Sequence, residues 1–256
     1  MTPVLPTLLL AAGAGLEEES LLRALAARFG DPRVSYLLFE AGSSRLAGGR
    51  WPGDETPVPA GSLVKPFLAL AYGSAHHYQF PAAECREGCW LPRGHGRIGV
   101  REAIAVSCNV YFAHLAERVD HAAMAAVCAR FRLPEPESAA AYAGLGAGWR
   151  IAPRDLGRAY CELASAAGEP GVDLVLDGMR RAALEGTASA IGPAALAKTG
   201  TAPCSHTRNG GGDGFTAVLF PARLPRWLLL VRVHGTTGAK SAGTAAAMVR
   251  LILGAR

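Results

Sequence analysis

No stretch of about 20 consecutive apolar residues occurs in the sequence, so it predicts no membrane-spanning helix. Charged residues are scarce at 18% and aromatic residues contribute only 7%, yet half of the 256 residues are hydrophobic. This composition supports a sizeable buried core and excludes a disordered chain. The net charge of +5 is spread over isolated residues rather than a basic run. That distribution fits an acidic substrate or surface better than nucleic acid, and we predict no nucleic-acid partner.

The N-terminal segment 4–14, VLPTLLLAAGA, has the apolar character of a secretory signal and ends in a small-residue sequence typical of a cleavage site. The positive charges that usually precede such a segment are missing, so a buried N-terminal helix or strand is the alternative. We expect residues 1–14 to be a signal peptide, which places the rest of the chain in the periplasm or another extracytoplasmic compartment. No repeat and no change of composition divides residues 15–256, which predicts one domain.

Six cysteines are present, and Cys85 and Cys89 are close enough in sequence to form a disulfide if the geometry allows. A zinc site needs four ligands at ordered spacing, such as paired Cys-x-x-Cys units. Five candidate ligands nevertheless crowd one segment, which keeps a metal open as an alternative: His76, His77, Cys85, Cys89 and His95. We predict neither a metal nor a cofactor.

Hydrophobic periodicity predicts strands towards both ends of the chain and helices between them. Residues 17–29 have helical spacing and residues 34–39 are a short apolar run, whereas 214–220 and 227–233 are β-compatible runs followed by a closing helix. This order predicts an α+β fold, in which an antiparallel sheet is flanked by the N- and C-terminal helices. An all-helical subdomain, about residues 68–185, is inserted into it.

The first motif that carries chemistry is Ser62-Leu63-Val64-Lys65, at the start of a predicted helix. Positions i and i+3 share a face, so the Ser62 hydroxyl and the Lys65 amine can meet. A lysine whose pKa is lowered by burial can take the proton of a serine and make it a nucleophile. Alone, the motif has another interpretation, in which Ser62 caps the helix N-terminus and Lys65 is an exposed lysine with no role in catalysis.

The second motif is Ser107-Cys108-Asn109, at a break between two predicted helices. Ser107 either caps the following helix or relays a proton to a leaving group. Asn109 is one of only two asparagines, and its amide can hold a substrate carbonyl and the Lys65 amine together.

The third motif is Lys198-Thr199-Gly200-Thr201. One interpretation is an edge-strand turn with solvated side chains, and the other is a strand that pairs with an extended substrate. In the second interpretation Gly200 admits a ligand close to the backbone, and the Thr201 N–H donates to an oxyanion. Lys198 and the two threonine hydroxyls then form a cationic pocket for a carboxylate.

In this order the three motifs resemble the S-x-x-K, S-x-N and K-T-G elements of the penicillin-recognising serine enzymes, the superfamily that includes the serine β-lactamases. The surrounding sequence is similar to the transpeptidase domain of penicillin-binding proteins from about residue 34 to residue 253. The similar stretches are 61–67, 103–112, 151–160, 178–188 and 213–221.

The resemblance implies a D,D-transpeptidase or D-alanyl-D-alanine carboxypeptidase that acts on peptidoglycan stem peptides through an acyl-enzyme on Ser62, and that also binds β-lactams. It implies that Lys65 is the base and that Ser107, tuned by Lys198, carries a proton to the leaving nitrogen. The backbone N–H groups of Ser62 and Thr201 would form the oxyanion hole. Other cell-wall proteins are expected partners.

Two alternatives remain open at this stage. Class D β-lactamases and β-lactam sensor domains are similar to this chain in size, but they usually have a branched apolar residue in place of Asn109. The E-x-x-L-N setting of the class A deacylating glutamate does not occur here, so efficient class A hydrolysis is not expected. The second alternative, suggested by the irregular signal, is a catalytically silent scaffold protein that keeps the site.

Overall fold

The computed structural model describes residues 18–204 and 212–254, so the expected signal peptide at 1–14 lies outside the described residues. The helices are α1 (18–28), α2 (Lys65–Ala75), α3 (Val100–Ala105), α4 (Asn109–Ala116), α5 (His121–Arg130), α6 (Pro153–Ser165), α7 (Val172–Leu184) and α8 (Gly238–Gly254). The strands are β1 (Val34–Glu40), β2 (Arg45–Arg50), β3 (Val58–Pro59), β4 (Ala83–Cys85), β5 (Gly96–Ile98), β6 (Arg150–Ile151), β7 (Leu196–Ala202), β8 (Asp213–Phe220) and β9 (Trp227–Val233).

Five strands form an antiparallel sheet in the order β2-β1-β9-β8-β7. Strands β1, β8 and β9 are buried along almost their whole length because both faces of the sheet are covered. Strand β7 lies at the edge, so within the part of the chain that the structure describes one side of its backbone has no neighbouring strand in this sheet. The predicted pairing of strands from the two ends of the chain is confirmed by the β1–β9 register, in which Tyr36 faces Val231.

The two faces of the sheet pack against different helices. On one face, Leu21 and Leu25 of α1 join Leu38 of the sheet and Met248 of α8 in a single apolar cluster. On the other face α6 contacts β1, β8 and β9, and Gly157 brings its backbone against the Phe39 ring. The expected flanking of the sheet by the terminal helices is therefore confirmed. The C-terminal helix α8 begins at Gly238, a few residues before its hydrophobic pattern starts.

Helices α2 to α7 lie between β2 and β7 in the chain, as the expected inserted helical part requires. Two short ribbons, β3 with β6 and β4 with β5, also occur in or beside this stretch. Helix α2 is buried from Lys65 to Gly73, which is typical of a helix at the centre of a domain. Within the described ranges, no helix combines the length and the apolarity needed to cross a membrane.

Candidate active site

A cleft of about 600 Å³ brings parts of all three motifs together at one end of the sheet. Ser62, Ser107 and Asn109 line it, as do Thr199, Gly200 and Thr201 of strand β7. The predicted site residues therefore converge. Lys65 and Lys198 do not line the cleft but lie fully buried beneath it, where both amines contact Ser107. Among the described residues, the lining of the cleft contains no charged side chain, and the two buried amines lie directly beneath it.

Ser62 lies in a 3₁₀ turn, Gly61–Val64, directly before α2. The turn presses against β7 at Gly61, whose φ is +56° and where an added Cβ would come within 2.6 Å of the Thr201 carbonyl oxygen. Glycine meets both demands because it has no side chain and tolerates a positive φ. The Ser62 side chain is mostly buried but faces the cleft, and its hydroxyl makes no hydrogen bond to any part of the chain that the structure describes.

Lys65 is the first residue of α2, where the following Pro66 is tolerated because the first helical turn needs no N–H from it. Its Nζ donates to the Ser107 carbonyl oxygen at 2.9 Å and to Asn109 Oδ1 at 2.7 Å. Burial lowers the pKa of the Lys65 amine to about 7, although the Cys108 and Cys89 thiols act to raise it. A neutral amine has two N–H groups, so both acceptors can be kept while the nitrogen lone pair takes up a proton.

The expected direct contact of the Ser62 hydroxyl with the Lys65 amine is not formed as a hydrogen bond within the described ranges. The reason is that a buried amine needs acceptors, and the carbonyl and amide oxygens of the second motif supply them. Catalytic hydrogen bonds are often long in a free enzyme and shorten when substrate is bound.

Ser107 has a left-handed backbone conformation, with φ at +52°. This conformation costs a residue other than glycine on the order of 1–3 kcal/mol and occurs most often at functional sites. The hydroxyl accepts a hydrogen bond of 2.8 Å from Lys198 Nζ. The cap of α4 is Cys108, whose sulfur accepts from the Tyr111 N–H, so the interpretation of Ser107 as the helix cap is wrong.

The third motif lies on β7, as its interpretation as an edge strand predicted. Lys198 Nζ also donates to the Thr199 carbonyl oxygen at 2.7 Å. Burial, together with the charge of Lys65, lowers the pKa of the Lys198 amine well below its usual value. Of the two threonines, Thr201 is exposed and its hydroxyl accepts from the Gly238 N–H at 2.9 Å, whereas Thr199 Oγ1 is 2.5 Å from Thr187 Oγ1.

Several residues of the cleft were not identified from the sequence. Thr187 follows α7, Thr237 and Gly238 stand at the N-terminus of α8, and Trp90 and Leu145 form exposed apolar walls. Thr187 lies in the stretch 178–188, which is similar to the transpeptidase domain of penicillin-binding proteins. That similarity could have identified Thr187 as a candidate. The other residues come from loops and a helix start with no motif of their own.

Two groups of side chains in the described ranges have the atoms to hold a metal ion. Cys85, Cys89, His95 and Cys108 place four ligand atoms within 4.8 Å of one another. Of the segment considered from the sequence, His76 does not take part, because its Nε2 lies 3.0 Å from the Arg118 carbonyl oxygen. Cys85 and Cys89 are free thiols and do not form the disulfide that their spacing allowed.

The second group is Cys204, Asp213 and His234, beside the end of β7. Its ligand atoms also lie within 4.8 Å of one another, and His234 Nδ1 is 2.8 Å from Asp213 Oδ1. Among the described residues this group has three ligands, one fewer than the first group.

Comparisons with known proteins identify the fold. No family model matches the sequence, and no curated protein matches it significantly. Among solved structures, the Pseudomonas aeruginosa PBP2 in complex with WCK 5153 superposes with a TM-score of 0.74 at 17% identity, covering 94% of this chain and 74% of that chain. The transpeptidase (TP) domain of Burkholderia pseudomallei penicillin-binding protein 3 gives 0.75 at 17% identity, covering 95% and 94%. The fold is that of a penicillin-binding transpeptidase domain.

The complex of PBP2 with MreC from Helicobacter pylori contains a third similar chain, with a TM-score of 0.77, 15% identity and coverage of 92% of this chain and 62% of that chain. The resemblance deduced from the motifs is confirmed for the fold. The near-complete coverage of the Burkholderia domain means that this chain spans a whole transpeptidase fold of that size. At sequence identities of 15–17%, these similarities show the fold and not the activity.

Proposed function

We propose that the chain is a serine acyltransferase of the penicillin-binding type, a D,D-transpeptidase or D-alanyl-D-alanine carboxypeptidase that also reacts with β-lactams. One observation carries this proposal: two fully buried lysines from distant segments meet at Ser107, beneath a cleft that Ser62 lines. Burying an amine costs free energy unless hydrogen bonds compensate for the lost water. A lowered pKa makes such a lysine a base at neutral pH.

In the first step Ser62 Oγ attacks the carbonyl carbon of the scissile amide, and neutral Lys65 takes its proton. The backbone N–H groups of Ser62 and Thr201 stabilise the oxyanion that forms. Ser107, held by Lys198, relays a proton to the leaving nitrogen as the carbon–nitrogen bond breaks: its hydroxyl gives up its own proton and is restored by the proton that Lys65 took from Ser62. An acyl-enzyme remains on Ser62, and an amine or water then attacks it and releases the acyl group.

The end of the cleft next to the N-terminus of α8 suits a carboxylate. The N-terminus of α8 lies at this end, where Thr237, Gly238 and Ala239 line the cleft together with Thr199 and Thr201. A helix N-terminus favours a negative charge. The substrate lies along the open edge of β7 as an additional strand, with its C-terminal carboxylate at this end and its scissile bond at Ser62. The peptidoglycan stem peptide has this chemistry.

Two of the solved relatives supply context for partners. The Pseudomonas PBP2 structure is a complex with WCK 5153, and the Helicobacter PBP2 structure is a complex with MreC. We infer that this chain binds β-lactams, has a protein partner in cell-wall synthesis, and works on the outer side of the cytoplasmic membrane.

The test is intact-mass analysis after incubation with benzylpenicillin, followed by peptide mapping of the modified residue. Wild-type protein is expected to gain one penicilloyl group on Ser62, and Ser62→Ala none. The melting temperature of Ser62→Ala is expected to stay near that of wild type, because this hydroxyl makes no hydrogen bond in the described part of the chain. Ser74→Ala, on the exposed side of α2, is the matched control and should label normally.

The time course separates the alternatives. A stable adduct supports the proposal, whereas an adduct that turns over within seconds indicates a β-lactamase. No adduct on folded wild-type protein indicates a silent scaffold. A penicilloyl group that persists on Ser62→Ala assigns the nucleophile to another residue and overturns the proposal.

A further inference from the structure

We propose that the chain binds one structural zinc ion through the Sγ atoms of Cys85, Cys89 and Cys108 and the Nδ1 atom of His95. The proposal does not depend on the proposed acyl transfer, because none of these four side chains takes part in it. It reverses our expectation from the sequence, which predicted no metal.

Three of the six distances between the ligand atoms match the edges of a tetrahedral zinc shell, and all six are within 4.8 Å. With Zn–S bonds of about 2.3 Å and Zn–N bonds of about 2.0 Å, the edges of the tetrahedron are about 3.8 Å between two sulfurs and about 3.5 Å between sulfur and nitrogen. The structure has 3.8 Å between Cys89 Sγ and Cys108 Sγ. It has 3.5 Å from Cys85 Sγ and 3.6 Å from Cys89 Sγ to His95 Nδ1.

The backbone fixes each ligand independently of any ion. Cys85 ends β4 opposite Gly96 of β5, and the His95 N–H donates to the Cys85 carbonyl oxygen at 2.8 Å, so the short ribbon holds two of the four ligands. Cys89 lies in the loop that joins the two strands of the ribbon. Cys108 is the cap of α4, on a separate segment. The site is thus formed by a ribbon, its loop and a helix start.

Backbone donors around the sulfurs favour thiolates. The Asn109 N–H donates to Cys89 Sγ at 3.3 Å, and the Tyr111 N–H donates to Cys108 Sγ at 3.4 Å. The His95 ring has no partner at Nε2 among the described residues, so its polar contacts are made through Nδ1 towards the sulfurs. Three thiolates and one imidazole select zinc over magnesium or calcium, which prefer oxygen ligands.

Four protein ligands complete the shell, which is typical of structural rather than catalytic zinc. Cys108 lies between Ser107 and Asn109, so the ion ties this catalytic segment to the ribbon. The left-handed Ser107 and the Asn109 amide that Lys65 contacts are both adjacent to a metal ligand. The zinc therefore acts as a positioning device for the second motif.

The experiment measures zinc in the full chain, purified with a reductant and without chelators, by mass spectrometry of the metal. About one zinc per chain is expected, and stripping it should lower the melting temperature. Reloading the stripped protein with Co²⁺ alone should produce the thiolate charge-transfer and tetrahedral ligand-field absorption bands. Cys89→Ala and His95→Ala should reduce zinc to near none, whereas Cys128→Ala, a buried cysteine of α5, should retain about one.

Three outcomes overturn the proposal. One is wild-type protein that contains no zinc and takes up neither zinc nor Co²⁺ on reloading, and another is full zinc content in Cys89→Ala and His95→Ala. The third is a metal-free protein whose mass is lower by two hydrogens, with Cys89 and Cys108 mapped as a disulfide. Because the metal and the cobalt spectrum are measured on wild-type protein, the test remains decisive if a variant fails to fold. Failure of penicillin labelling leaves the zinc result unaffected.

Discussion

Lysine occurs only three times in this sequence, at 65, 198 and 240, against a total of 26 basic residues. Two of the three are fully buried beneath the cleft, where an arginine could not lose its charge. The third, Lys240, is exposed near the start of α8. Buried amines in an otherwise arginine-rich chain therefore indicate a need for a group that can release and take up a proton.

Replacing Lys65 with arginine should abolish acylation. Guanidinium stays protonated near neutral pH, so it cannot act as the base, and its larger head must also fit a site that is fully buried. The measurement is the rate of labelling by a fluorescent penicillin, with circular dichroism to verify the fold. Lys240→Arg is the matched control and should label at the wild-type rate. Near-normal labelling of Lys65→Arg would exclude Lys65 as the base.

Acylation should accelerate as the pH rises through about 7. The pKa of the Lys65 amine is lowered to about 7 by burial, and only the neutral amine accepts the Ser62 proton. Below this pKa the labelling rate should fall about tenfold for each pH unit, and above it the dependence should flatten. Stopped-flow labelling over a pH series measures this, and a rate that is independent of pH across the range would contradict the assignment.

At the scale of the elements, the turn at Ser62 and strand β7 must approach each other more closely than a side chain allows. Gly61→Ala should destabilise the protein by about 2 kcal/mol or more, because it combines a positive φ with a Cβ only 2.6 Å from a backbone oxygen. Denaturant unfolding gives the change in free energy. The control is Gly243→Ala in α8, where a Cβ meets nothing within 4 Å and stability should rise slightly. Equal stabilities of the two variants would show that this contact is not tight.

The longer elements could be predicted from the sequence because burial and periodicity act locally. The apolar runs at 34–39 and 227–233 predict two strands, and the structure has β1 and β9 at these positions. The ribbons β3–β6 and β4–β5 could not be predicted, since strands of two or three residues show no alternation. The motifs pointed to residues that the structure places at the cleft because their residue types and their order resemble those of a known family.

The partners within the site could not be read from the sequence. Spacing placed Ser62 and Lys65 on one face of a helix, but it could not show that Lys65 would donate to Ser107 and Asn109. The sequence also could not show that Cys108 belongs to one cluster with Cys85 and His95. These residues come together only when the chain between them folds back. Contacts between distant segments depend on the tertiary structure, and no local pattern encodes them.

Across the whole molecule, the apolar cluster that α1 forms with α8 and the sheet is separate from the lining of the cleft, which α8 reaches only at its N-terminus. Leu25 of α1 is fully buried in that cluster, whereas Leu63 is fully buried in the 3₁₀ turn that contains Ser62, next to Gly200. Leu25→Ala should reduce stability by about 3 kcal/mol and the melting temperature by roughly 10 °C. The penicillin acylation rate of the folded protein should not change, because the cleft is not lined by this cluster.

Leu63→Ala should cost a similar amount of stability but should also slow acylation, since the cavity opens beside Ser62. Comparing labelling rates of the two variants well below their melting temperatures separates global stability from local positioning. A loss of acylation in folded Leu25→Ala as large as that in Leu63→Ala would show that the two regions are coupled through the sheet. In that event the terminal helices would have to be counted among the elements that position the site.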